Sequence, residues 1–115
     1  MQDEWRALIA LPIPMSSDAL DRLGEMVGPH RYDGQGKLVG TALTIMTRPG
    51  HNLGMHVTMT LMKLGHVLVV GGGGDLNNAL WGDLMRAYAV SRGRAGFVIN
   101  GAMHDSACFA TGDFP

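Results

Sequence analysis

Cysteine occurs once in this chain, at Cys108, so an internal disulfide is excluded and the composition fits a reducing compartment, the cytoplasm. Charge is sparse, at 17% of residues against about 25% in an average globular protein. The net charge is −1 and neither sign forms a block, which argues against a nucleic-acid partner. Long apolar runs are missing. The apolar stretch Leu8 to Pro14 is too short to span a bilayer and holds two prolines, and no signal peptide is visible. Lysine is absent after Lys63, which removes the Gly-Lys-Ser/Thr of a phosphate-binding P-loop.

What remains is apolar and rich in glycine. A chain of 115 residues makes one small domain, spanning 1–115. A domain of this size buries only about two-thirds of its unfolded surface. With seventeen glycines and few charges to cover the outside, the composition favours a subunit of an assembly. The nine methionines read as core filling.

The chain is organised around His66 to Gly82, HVLVVGGGGDLNNALWG. Val67 to Val70 has the length and β-branched content of a buried strand. Gly71 to Gly74 follow, then Asp75-Leu76-Asn77-Asn78 leads into an apolar-periodic segment. This predicts strand, tight turn, helix. Glycines there permit positive φ and close approach to the backbone, and the N–H groups opening a helix favour an anion, a small carboxylate or phosphate. The alternative is a plain glycine-rich connection with Asp75 as helix cap. A dinucleotide fingerprint fails, because its third glycine falls on Leu76 or Asn77.

Around that stretch, helices are predicted over 3–11, ended by Pro12 and Pro14, and over 18–27, stopped by Gly28-Pro29. A strand is predicted over 37–47 with Gly40 at a bend, and a mostly buried helix over 51–64 closed by Gly65. A further helix starts at Asn77 or Asn78 and runs to Arg92, with Leu80, Leu84, Ala87, Tyr88 and Ala89 inward. Gly96 to Asn100 is a second buried strand, leading into the turn 101–105, and 106–111 forms a helical turn or two. Strands alternating with helices predict an α/β layered domain with parallel strands. Ligands in such folds sit at the carboxyl ends of strands, so the turns 71–75 and 101–105 are candidate walls of one site.

His104-Asp105 in the second turn could be a metal site, an acid/base pair or ordinary loop polarity. No cluster with zinc-ligand spacing accompanies it. His51 and His56 are five apart and read as structural or surface residues. A hard cation that keeps much of its water shell suits Asp75 and Asp105 better. No Ser-His-Asp arrangement is specified, and Cys108 carries no sign of activation beyond its nearness to His104.

The run Arg48 to Asp105, RPGHNLGMHVTMTLMKLGHVLVVGGGGDLNNALWGDLMRAYAVSRGRAGFVINGAMHD, closely resembles one family. It comprises the 4-hydroxy-4-methyl-2-oxoglutarate and 4-carboxy-4-hydroxy-2-oxoadipate aldolases together with the regulator of ribonuclease E activity A. Older naming often has such chains as demethylmenaquinone methyltransferase-like. The resemblance begins near Ser16 and is specific in Gly73-Gly74-Asp75, in Gly82 and in Gly101-Ala102-x-x-Asp105. It implies a swivelling β/β/α domain, C-terminally shortened relative to the family, assembled as a homotrimer or hexamer with sites between subunits. It also implies Mg²⁺ or Mn²⁺ held by Asp105 and waters, and a pyruvyl carboxylate held by backbone amides of Gly74 to Asn77. The implied activity is that of a metal-dependent lyase, with oxaloacetate decarboxylation as a side reaction. Substrate contacts would come from Gly73, Gly74, Asp75, Leu76, Asn77 and His104. Asp75 or a metal-linked water would accept the C4 hydroxyl proton, and the metal and His104 would stabilise the enolate.

Several positions depart from the family. His104 stands where the family has arginine, Cys108 where the aldolases have an acid, and His51, His66, Gly71 and Asn100 where Asp is common. Family members continue well past the equivalent of Phe114-Pro115, so a fragment, a truncated product or half of a shared site is expected. The alternative activity is that of a non-catalytic binding protein acting on ribonuclease E.

Overall fold

Val67, Leu68 and Val70 are buried in β2 (His66–Gly71), the middle strand of a three-stranded parallel sheet in the computed structural model. The structure describes residues 2–24, 26, 30, 37–49, 51, 53–77, 79–93 and 96–103. β1 (Thr41–Met46) pairs on one side of β2, with Leu43 opposite Leu68 and Ile45 opposite Val70. On the other side β4 (Gly96–Asn100) sets Phe97 opposite Leu68 and Gly71 opposite Asn100. The unbroken apolar run 67–70 is what a strand flanked on both sides requires. β1, by contrast, alternates: Leu43 and Ile45 are half-buried, while Ala42, Thr44 and Met46 are exposed.

Two helices lie between successive strands of this sheet, α3 (Leu53–Leu61) between β1 and β2 and α4 (Asp83–Ser91) between β2 and β4. Met55 and Met59, four apart on α3, and Met62 just beyond it are buried with Leu68, Val70, Leu80, Met85 and Ala89. Leu43, Ile45, Tyr88, Phe97 and Ile99 pack around them. Four of the eight buried core residues are methionines, whose unbranched chains fill irregular gaps between helix and sheet. Met15, Met26 and Met46 are exposed, so the core-filling role belongs to part of the set.

The elements follow the sequence pattern with local corrections. α1 (Gln2–Ala10) is one residue off its predicted start, while the next helix, α2 (Ile13–Ala19), begins before the predicted 18 and ends where that helix was to run. Pro14 sits in its first turn, where its missing N–H has no helical partner to lose. Leu20 closes α2, and Asp21 and Arg22 then take positive φ (54° and 60°), which ends helical propagation despite the apolar periodicity beyond. Lys37 Nζ donates to the carbonyls of Ile9 and Leu11, tying the approach to β1 to the end of α1 and the residue after it.

The main correction lies after the glycine turn. A short strand, β3 (Ala79–Trp81), occupies the place of the predicted first helical turn, and α4 starts only at Asp83 with Gly82 as its cap. β3 pairs in parallel with β5 (Ala102–Met103), Ala79 opposite Ala102 and Trp81 opposite Met103. Leu80 is therefore buried as predicted, though on a strand; Ala87 on α4 is exposed and Met85 takes the inward place. The predicted helical turn over 106–111 lies outside the described residues. Among the described residues no helix is long and apolar enough to cross a membrane.

Candidate functional site

Three chain segments meet where the parallel strands end. β1 leads to Thr47–Pro49, β2 to the turn 71–77, and β4 to Asn100–Ala102. The Thr47 N–H donates to the Gly71 carbonyl at 2.9 Å, which holds the first to the second. The Gly74 N–H donates to the Asn100 carbonyl at 3.3 Å, which holds the second to the third. The glycine turn and the residues that open the second turn, Asn100 and Gly101, therefore stand side by side at the carboxyl edge of the sheet, the usual position for a ligand in an α/β fold.

The glycines are demanded by this closeness. A Cβ on Gly72 would stand 2.3 Å from Leu80 Cδ1 and 2.5 Å from the Asn100 carbonyl oxygen. A Cβ on Gly101 would stand 2.7 Å from the same Leu80 methyl. Leu80, fully buried, fills the space under both turns. Gly73 and Gly74 have φ of +71° and +70°, the left-handed region that side-chain-bearing residues avoid. Pro49 lies 3.1 Å from the Cβ position of Gly73, and the Asn100 side-chain oxygen 3.5 Å from that of Gly74.

Gly73, Gly74, Leu76 and Asn77 are exposed and Asp75 is half-buried. Asp75 Oδ1 accepts the N–H of Asn77 at 2.9 Å, closing an Asx turn. This sets aside the alternative reading of Asp75 as helix cap and corrects the expected helix start at Asn77 or Asn78, because α4 opens at Asp83 and its cap, Gly82, makes no side-chain bond. The N–H groups of that helix start consequently stand at Gly82–Asp83, away from the turn in sequence. Of the turn's own backbone donors, Gly74 and Asn77 already have the partners named above. His104, Asp105 and Cys108 lie outside the described residues, as does Asn78. Among the described residues no group of three or more His, Cys, Asp or Glu could hold a metal ion.

Two residues of this site escaped the sequence reading. Leu80 is expected inward but on a helix, and Asn100 is expected as the end of a strand and as a departure from the family's common Asp, with no part in the site. The signal for Asn100 was present: a polar side chain closing an otherwise apolar strand at its carboxyl end. Elsewhere, α3 and α4 enclose an open cavity of about 330 Å³ lined by His56, Met59, Thr60, Met85 and Tyr88, none of them from the turns.

Residues 14–115 match the RraA-like family model, described as Aldolase/RraA. A relative from Halalkalibacterium halodurans, provisionally named 4-hydroxy-4-methyl-2-oxoglutarate aldolase, is 32% identical over 106 residues, covering 91% of this chain and 50% of the relative. A relative from Ectopseudomonas mendocina with the same provisional name is 34% identical over 102 residues, covering 87% of this chain and 62% of the relative. The chain thus spans between half and two-thirds of the length of these curated relatives. Among solved structures, the RNA-processing inhibitor RraA from Thermus thermophilus superposes with a TM-score of 0.78 at 27% identity, over 90% of this chain and 63% of that one. An uncharacterized protein from Pseudomonas syringae pv. tomato superposes with a TM-score of 0.85 at 26% identity, over all of this chain and 55% of that one.

Proposed function

Because the chain belongs to the RraA-like family of aldolases and RraA proteins, we propose that its glycine turn binds the carboxylate of a small 2-oxo acid in a lyase reaction. The reaction is cleavage of a 4-hydroxy-2-oxo di- or tricarboxylic acid to pyruvate and a second oxo acid, with oxaloacetate decarboxylation through the same enolate. The observation that carries this reading is the junction of Gly74 with Asn100, which sets the Gly73-Gly74-Asp75 turn beside the segment leading to His104 and Asp105. The names of the two aldolase-like relatives support it.

Asp75 accepts a proton at the turn's mouth, and His104 donates to the oxygen where negative charge develops. Mg²⁺ or Mn²⁺ would be held by Asp105 and waters, and supplies Lewis-acid polarisation of the 2-oxo group when bound. The protein works as an assembly of copies, a homotrimer or hexamer. Sparse charge and the exposed Leu53, Val57, Leu61 and Leu64 on and just after α3 support this. Light scattering that finds a stable monomer at micromolar concentration overturns the assembly.

The activity test is pyruvate release from oxaloacetate and from 4-hydroxy-4-methyl-2-oxoglutarate, with Mg²⁺ and with a chelator. Release that depends on the metal supports the lyase. No release from either substrate favours the second reading, a non-catalytic protein that binds ribonuclease E. Two observations favour that reading specifically: the likeness to the Thermus RNA-processing inhibitor, and His104 and Cys108 in place of the family's arginine and acid.

A further inference from the structure

Arg48 belongs to the one wall of the site to which the reaction described above assigns no residue. It follows β1 and sits between two residues that both touch the glycine turn. The Thr47 N–H donates to the Gly71 carbonyl, and Pro49 Cγ lies 3.1 Å from the Cβ position of Gly73. The Arg48 carbonyl accepts the His51 N–H and the Thr47 hydroxyl, each at 3.1 Å, so its backbone is held from two sides. Its side chain is exposed, and among the described residues its guanidinium makes no hydrogen bond or ion pair. Of the described residues in the three segments that meet here, 47–49, 71–77 and 100–102, Arg48 and Asp75 are the charged ones. Arg48 supplies the permanent positive charge. A carboxylate that leaves water needs donors or an opposite charge where it binds. The Gly74 and Asn77 N–H groups are already engaged within the protein. A guanidinium offers both charge and a two-pronged donor that matches a carboxylate.

We propose that Arg48 is a ligand-binding residue of the site, its guanidinium pairing with a carboxylate of the anion at the glycine turn. The proposal rests on the reading of the turn as a carboxylate site and adds a residue to it. An arginine that is merely solvated surface leaves the affinity for an anion unchanged. One that acts only through the overall field is matched by an equal charge elsewhere on the protein. A guanidinium that pairs with the ligand is not matched that way, and lysine replaces it only in part.

Oxalate is the probe, its affinity measured by calorimetry at fixed Mg²⁺, in low and high salt, for the wild type, Arg48→Gln, Arg48→Lys and Lys63→Gln. Lys63 precedes β2, at the far end of that strand from the turn, so Lys63→Gln removes the same charge at a distance. Arg48→Gln should weaken oxalate by about tenfold and flatten its salt dependence. Arg48→Lys should fall between, at about threefold, and Lys63→Gln should change the affinity by less than about twofold. Arg48 is exposed, so neither substitution there removes a buried contact. Wild-type affinity in Arg48→Gln, or an equal loss in Lys63→Gln, overturns the role of Arg48 and leaves the turn as a carboxylate site. Arg48→Lys binding no better than Arg48→Gln overturns it too, since charge would then not be the cause. Failure of the wild type to bind oxalate overturns the carboxylate reading, and the role of Arg48 with it.

Discussion

Leu80 lies against Gly72 so closely that a Cβ on the glycine would stand 2.3 Å from the leucine's Cδ1. The same methyl group lies 2.7 Å from the Cβ position of Gly101. One buried side chain from β3 thus sets the spacing of the turns after β2 and β4, and the geometry of the candidate site depends on a residue that does not line it. Interiors packed to this density transmit changes of a single methyl group.

Gly72→Ala should therefore destabilise the fold. The added methyl meets Leu80 and, at 2.5 Å, the main-chain carbonyl of Asn100, which cannot rotate away. The expected loss is about 1–3 kcal/mol. Urea denaturation monitored by circular dichroism measures it, and unchanged stability would mean that the turn relaxes freely.

Leu80→Ala removes the methyl groups on which both turns rest. The side chain is fully buried, so the expected loss is about 2–5 kcal/mol, depending on how far the site collapses. The two substitutions share a contact and should couple. In the double variant the alanine at 72 fills part of the space left at 80, so its loss should be smaller than the sum of the single losses. Strict additivity would show that Leu80 and Gly72 do not constrain each other.

The reason β2 and β4 were legible is visible in their residues. Val67 to Val70 and Phe97 to Ile99 are short β-branched or aromatic runs between glycines, and a strand buried in a parallel sheet writes itself that way. β3 was not legible, because Ala79-Leu80-Trp81 has no alternation long enough to separate it from the helix that follows. Its strand character comes from pairing with Ala102 and Met103, a partner about twenty residues away. The cost fell on the site: a helix start placed at the glycine turn suggested helix N–H donors for an anion there, whereas α4 opens at Asp83. The end of α2 was misplaced for a local reason, the positive φ at Asp21 and Arg22, which neither residue type announces. The expected cap at Asn77 or Asn78 gives way to Gly82, and Asp75, whose alternative role was that of a cap, instead accepts the Asn77 N–H in an Asx turn.

His66 closes the connection from α3 to β2 in both directions. Its Nδ1 accepts the Lys63 N–H at 3.2 Å, and its own N–H donates to the Lys63 carbonyl at 3.1 Å. His66→Ala keeps the second bond and loses the first, at a partly exposed position. The expected loss is about 0.5–1 kcal/mol, with faster amide exchange at Lys63 than in the wild type. Equal protection of Lys63 in both proteins would remove the side chain from this role.

Asp75 combines two functions that substitution can separate. Its Oδ1 holds the Asn77 N–H, a role that needs an acceptor oxygen but no charge. Its proposed part in the reaction needs the charge. Asp75→Asn keeps an acceptor in the same place, so the turn should survive with stability within about 0.5 kcal/mol of wild type. Asp75→Ala removes the acceptor and should lose about 1 kcal/mol. Both variants lose the group that takes up the C4 hydroxyl proton, so Mg²⁺-dependent pyruvate release from 4-hydroxy-4-methyl-2-oxoglutarate should fall by about 10² or more in each, while oxaloacetate decarboxylation, which removes no hydroxyl proton, should fall much less. The pair of measurements is decisive because the two roles predict different orders. If the turn alone matters, the asparagine variant works and the alanine variant does not. If the charge matters, both fail while only one is destabilised. Wild-type turnover by Asp75→Asn with the hydroxy acid would assign the proton to a metal-linked water, and Asp75 would then be a turn-forming residue.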